Sequence, residues 1–267
     1  MQVFIFVFIT FISILIGSLL IKFFPKINNR YTQIAWSLIF LIYFIIFRYS
    51  IDIKELITIY QDNNPSLNAR YSGIMSRIFF LDWCPAFALL ISFAYLFDNK
   101  GRVIYIFSIM SIVGGYITLP TIPLSETIDH ITLKYLFIGT DVNRLYFLMH
   151  WYLAVSGTIS FIFYTKPKYS DVIYAHITAA LYFIYVAFIS LSLDVLHNVT
   201  GIRESDWRPG GEYENVIPIL KVDFPYVIIV GFGMAYIFIN SSLLIKAALH
   251  KHKKHIYHYF KNIKKSS

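Results

Sequence analysis

Residues 172–193 read VIYAHITAALYFIYVAFISLSL, twenty-two consecutive positions without Lys, Arg, Asp or Glu. As a helix rising 1.5 Å per residue, such a run covers roughly 33 Å, a little more than the hydrocarbon core of a bilayer, about 30 Å. Its apolar positions are continuous rather than alternating, which excludes a barrel strand. Six more runs have the same character: 3–21, 33–47, 78–97, 103–119, 145–165 and 224–245. The sequence therefore predicts an all-α fold, a polytopic membrane bundle of seven transmembrane helices spanning residues 1–245, followed by a basic tail, 246–267. Composition agrees over the 267 residues: 57% are hydrophobic and 14% charged, where a soluble domain carries about 25% charged residues.

Lys and Arg gather on the cytoplasmic side of membrane proteins. With seven spans, the segments 22–32, 98–102, 166–171 and 246–267 share one side and hold fourteen Lys/Arg in 44 residues, against nine in 85 residues on the other. The expected topology has the N-terminus outside and the C-terminus cytoplasmic, in a multi-pass protein of the cell (plasma) membrane. The stretch Met1–Leu20 lacks the basic start and small-residue cleavage site of a signal peptide and reads as a retained first span. Much of the net charge of +8 comes from the tail with Lys251, Lys253, Lys254, Lys261, Lys264 and Lys265. Such a cluster beside a span is expected to touch anionic lipid headgroups rather than nucleic acid. Gly114-Gly115 and Gly231-Phe232-Gly233 fall inside spans and read as close helix packing. The single Cys forms no internal bridge, and heavy use of Ile, Phe, Tyr, Lys and Asn points to an AT-rich bacterial genome.

A polar residue inside a span is costly and is a functional candidate by default. Cys84 enters the third span behind Phe80-Leu81-Asp82-Trp83, and His150 enters the fifth behind Tyr146-Phe147-Leu148-Met149. Counted from the span edges both lie about 8–9 Å deep in the same leaflet. Asp82 falls on another face of the third helix, Asp194 closes the sixth span, and Pro85 predicts a broken helix beside a cavity. A thiol beside an imidazole suits covalent acyl transfer, with Cys84 as nucleophile, His150 as base and Asp194 or Asp82 orienting the ring. The opposing readings are a packed thiol and a helix-bridging His. No spacing suits a metal, and no cofactor motif is present. The sequon-like Asn198-Val199-Thr200 reads as accidental.

In these residues the chain resembles the YwaF-like family of seven-helix bacterial membrane proteins, relatives of a eukaryotic cysteine/histidine phospholipid acyltransferase. The resemblance rests on Phe80-Leu81-Asp82-Trp83-Cys84, on Tyr146-Phe147-Leu148-Met149-His150 and on Phe224-Pro225-Tyr226. Asp82 stands where that family commonly has a His, and Asn198 is a displaced counterpart of its Asn-Tyr element. The resemblance implies a lipid acyltransferase with Cys84 and His150 catalytic and membrane lipids as partners, and it sets no oligomeric state. A small-solute transporter and a non-catalytic assembly component are the alternatives. An outward-facing polar pocket is common to the first two.

Overall fold

The structure is a computed structural model that describes residues 2–27, 29–61, 70–120, 122, 130–140, 143–164, 168, 170–209, 214, 217–218, 221–230, 233 and 236–248. The regular structure among the described residues is helical, with a single isolated bridge between Gly139 and Arg144 as its extended pairing. Helix α1 covers Gln2–Phe23, α2 Arg30–Phe44, α3 Ser50–Tyr60, α4 Tyr71–Ile78, α5 Trp83–Phe97 and α6 Arg102–Thr118. Helix α7 covers Leu133–Phe137, α8 Tyr146–Ile159, α9 Ser170–Ser192 and α10 Tyr236–Ala248. Six helical stretches are long and apolar enough to cross a membrane: Val3–Phe23, Arg30–Tyr60, Tyr71–Phe97, Arg102–Pro120, Tyr146–Phe163 and Ser170–Ser192. The seventh expected span, 224–245, is described as helix at 226–230 and from Tyr236 onward. Most of the tail 246–267 lies outside the described residues.

The second span differs from expectation. It does not stop at 47 but continues through a π-helical turn, Ile45–Tyr49, into α3. Arg48 and Asp52 remain within the helix because their charges meet partners there: Asp52 lies one turn from Arg48 and accepts three hydrogen bonds from Arg77 of α4 at 3.0–3.2 Å.

The third span is interrupted in the turn before Pro85, where that residue was expected to free the backbone. Asp82 holds an extended backbone immediately before α5. Pro85 thus occupies the first turn, where its missing N–H costs nothing. The interruption is Phe79–Asp82, with Phe80 at φ +53°. Three carbonyls exposed by it are taken up again, by the Tyr185 hydroxyl at Phe79 (2.7 Å), the Tyr182 hydroxyl at Phe80 (3.2 Å) and the Val199 amide at Leu81 (3.2 Å). Irregular backbone at membrane depth persists only when its polar groups find such partners.

Successive spans run in alternating directions, as short connections require. Helices α6 and α8 pack backbone to backbone. A Cβ on Gly115 would stand 2.6 Å from the Ala154 nitrogen, and one on Gly157 would stand 2.8 Å from the Ser108 oxygen. Gly233, expected to mediate close packing, has no described residue within 4 Å of its Cβ position. Inward polar groups pair with one another. Trp36 Nε1 donates to Ser156 Oγ (2.8 Å), Trp151 Nε1 to Ser13 Oγ (3.0 Å), and the Tyr105 hydroxyl to the Leu243 carbonyl of α10 (2.5 Å).

Candidate functional site

Four segments meet at the end of the bundle where α5 and α8 begin and α6 ends. Cys84 is the second residue of α5, His150 lies in the second turn of α8, Thr118 closes α6, and Arg48 sits on the π-helical turn. The loop after α9 covers them with Asn198 and Val199. Together they line a cavity of about 380 Å³ whose wall also includes Asp82, Tyr146, Met149 and Gly114. A space of this size falls within the range of small-ligand sites, about 300–1,000 Å³.

The Cys84 sulfur approaches the Gly114 carbonyl and the Thr118 hydroxyl, each at 3.7 Å. Gly114 makes room for it, since a Cβ there would stand 3.2 Å from the sulfur. Negative charge developing on this sulfur would meet the positive end of the α5 peptide dipole. The His150 ring is buried, and its Nδ1 lies 2.6 Å from the Tyr146 carbonyl. A carbonyl only accepts, so Nδ1 carries the proton and Nε2 is the basic nitrogen of the neutral ring.

The partner of Nδ1 is thus the Tyr146 carbonyl rather than a carboxylate. Asp194 is displaced from the expected site: its side chain is 84% exposed, it does not line the cavity, and it pairs with Arg203 at 2.9 Å. Asp82 does line the cavity, but its Oδ1 accepts the Ser76 hydroxyl at 2.6 Å, bracing the interruption before α5. Asn198, read as part of a chance sequon, is fully buried. Its Oδ1 accepts from the Thr200 amide (2.9 Å) and hydroxyl, and its Nδ2 donates to the Leu196 carbonyl (2.9 Å), which fixes the loop over the cavity.

Arg48 was missed by sequence reasoning because it follows directly on the apolar run 33–47 and looked like the first loop residue. The available signal was Asp52 four positions on, at the spacing of a helical ion pair. Among the described residues no cluster of His, Cys, Asp and Glu could hold a metal ion.

Fold and site together define a class: an all-helical protein with several membrane-length helices and a polar cavity at one end of the bundle. The chain belongs to a family of unknown function, DUF5378, whose sequence profile matches residues 4–267. It is similar to the uncharacterized protein MG135 of Mycoplasma genitalium, 29% identical over 241 residues, which are 86% of this chain and 85% of that protein. It is also similar to the MG135 homolog of Mycoplasma pneumoniae, 32% identical over 168 residues, or 61% and 58% of the two chains. No solved structure matches it.

Proposed function

We propose that this protein is a lipid acyltransferase of the plasma membrane that works through Cys84 and His150. In this reading the chain has seven spans, the Lys/Arg-rich segments are cytoplasmic and the N-terminus is outside, so that the cavity opens toward the outer headgroups. The single observation that carries the reading is the joint position of the thiol and the imidazole in one cavity, with Nδ1 occupied and Nε2 left as base. The YwaF-like resemblance of the Cys84 and His150 segments supports the same chemistry.

In the first half-reaction the Cys84 thiol gives its proton to His150 Nε2 and the sulfur attacks the acyl carbonyl of a lipid ester. The C–S bond forms, the C–O bond breaks, and the leaving alkoxide takes the proton back from His150. In the second half, His150 removes the proton of an acceptor hydroxyl whose oxygen attacks the thioester. A new C–O bond forms, the C–S bond breaks, and the thiolate recovers the proton. This division into two easier steps is the usual gain of covalent catalysis.

A transport route is less well supported. Beyond Met149 at the cavity wall, Tyr152, Leu153 and Ala154 of α8 are at most 1% exposed, and the Phe40 and Tyr152 rings stack 3.7 Å apart. The second cavity, about 420 Å³ between α1, α2 and α8, has a separate and largely apolar lining.

Incubation of the purified protein with a radiolabelled-acyl phospholipid is expected to leave label on Cys84 as a hydroxylamine-sensitive thioester. Cys84→Ser should abolish that label, and His150→Ala should slow its appearance by about 10²–10⁴-fold, the usual range for a general base. Equal labelling of all three proteins would remove the proposal.

A further inference from the structure

We propose that the cavity recognises a phosphate-bearing anion through Arg48, the lipid form being the headgroup of an anionic glycerophospholipid. This names the charged part of the substrate and rests on the acyl-transfer reading for its place in a reaction, though not for the binding itself.

Arg48 lines the cavity with its side chain 7% exposed. A buried guanidinium ordinarily has a carboxylate held at hydrogen-bond distance, and among the described residues Arg48 has none. Its Nε stands 3.9 Å from Asp52 Oδ2 and makes no hydrogen bond. Asp52 is committed to Arg77, whose Nε and Nη2 reach it at 3.0–3.2 Å. Asp82 contributes to the field at Arg48, but its Oδ1 is engaged by Ser76. What Arg48 does reach is weak: the Arg144 carbonyl at 3.3 Å and the Met149 sulfur at 3.5 Å, both from Nη1.

A charged fork with unspent donors, held rigid on a π-helical turn in a cavity wall, is suited to an oxyanion with several acceptors. Phosphate matches that geometry in bidentate fashion, and an uncharged glyceride would leave the donors unmatched. π-helical turns often occur at functional sites. The same cavity holds Cys84 and His150, so a lipid whose phosphate meets Arg48 brings its glycerol ester to the thiol.

The test uses the full chain carrying Cys84→Ser, which cannot form a thioester, and reads binding alone. Retention of three probes is measured by native mass spectrometry: phosphatidylglycerol, diacylglycerol with the same acyl chains, and glycerol 3-phosphate. Phosphatidylglycerol is expected to be retained about tenfold to a hundredfold over diacylglycerol, the scale of a charge-assisted hydrogen-bonded contact. Arg48→Met should abolish that preference, Arg48→Lys should keep part of it, and Lys54→Gln on an exposed face should leave it intact. Retention of glycerol 3-phosphate in place of the lipid, with the same dependence on Arg48, identifies a soluble phosphate as the source. Equal retention of phosphatidylglycerol and diacylglycerol, together with no Arg48-dependent glycerol 3-phosphate binding, overturns the proposal without recourse to any variant that might misfold. A preference that survives Arg48→Met overturns it as well. Loss of thioester chemistry in the unmutated protein with Arg48-dependent binding intact would defeat the acyl-transfer reading alone.

Discussion

At the scale of single residues, the cavity end holds more buried charge than its apolar surroundings would tolerate unpaired. Asp52 is the residue on which that charge depends. It is 5% exposed, takes three hydrogen bonds from Arg77 and is the nearest carboxylate along the helix from Arg48. Breaking a buried pair by removing one partner leaves an uncompensated charge and costs about 3–5 kcal/mol, whereas replacing both partners is far milder. Asp52→Ala is therefore expected to lower the detergent-solubilised melting temperature sharply. Asp52→Leu combined with Arg77→Met should recover much of the loss, and thermal unfolding of the single and double variants checks both. The Arg77 partner was not visible in a sequence window, because it lies 25 positions from Asp52, whereas the spacing of Arg48 and Asp52 was.

At the scale of elements, the cavity exists because α6 and α8 approach closely enough to carry the ends of both helices to one place. Gly115 and Gly157 permit that approach, and the adjacent pair Gly114-Gly115 was legible from sequence as a site of close packing. The partner of the contact was not legible, since Ala154 and Ser108 are ordinary small residues whose role depends on which helices become neighbours. Gly115→Val should be the most disruptive change along this seam. It forces side-chain atoms into the Ala154 backbone, already 2.6 Å from the first added carbon. Overpacking of this kind costs about 1–3 kcal/mol or more. Gly233→Ala, with no described residue within 4 Å of its Cβ position, should leave the stability within about 0.5 kcal/mol of the unmutated protein. The interrupted third span belongs to the same scale. Pro85 announced an irregularity, and the interruption fell three to six residues earlier, in the preceding turn, where the hydroxyls of Tyr182 and Tyr185 of α9 donate to the freed carbonyls.

At the scale of the whole molecule, Arg–Asp pairs tie segments together at both ends of the bundle. The cavity end carries Asp52, Asp82, Asp194, Arg203 and Asp206. The opposite end is clasped by Arg102, whose Nε and Nη2 reach the fully buried Asp171 at 3.0 and 2.6 Å and so join the start of α6 to the start of α9. The proposed orientation places the first end outside. With Cys84→Ser as background, Glu204→Cys is expected to react with a membrane-impermeant maleimide on intact cells. Lys100→Cys should react only after the membrane is opened. The reverse pattern would turn the cavity toward the cytosol and rule out outer-leaflet lipid as its substrate.

The sequence by itself determined that this chain is helical and apolar over membrane-length runs, because hydrocarbon admits only backbone that satisfies its own hydrogen bonds. It also singled out Cys84 and His150, since polar atoms are rare and conspicuous in such runs. The tertiary structure alone decided that Arg48 and Asn198 join them, that Asp194 does not, and that a backbone carbonyl rather than a carboxylate holds the imidazole. Those assignments depend on which helix ends become neighbours. That is fixed by glycine-mediated contact and by ion pairs between distant segments, information that hydropathy along one strand of sequence does not carry.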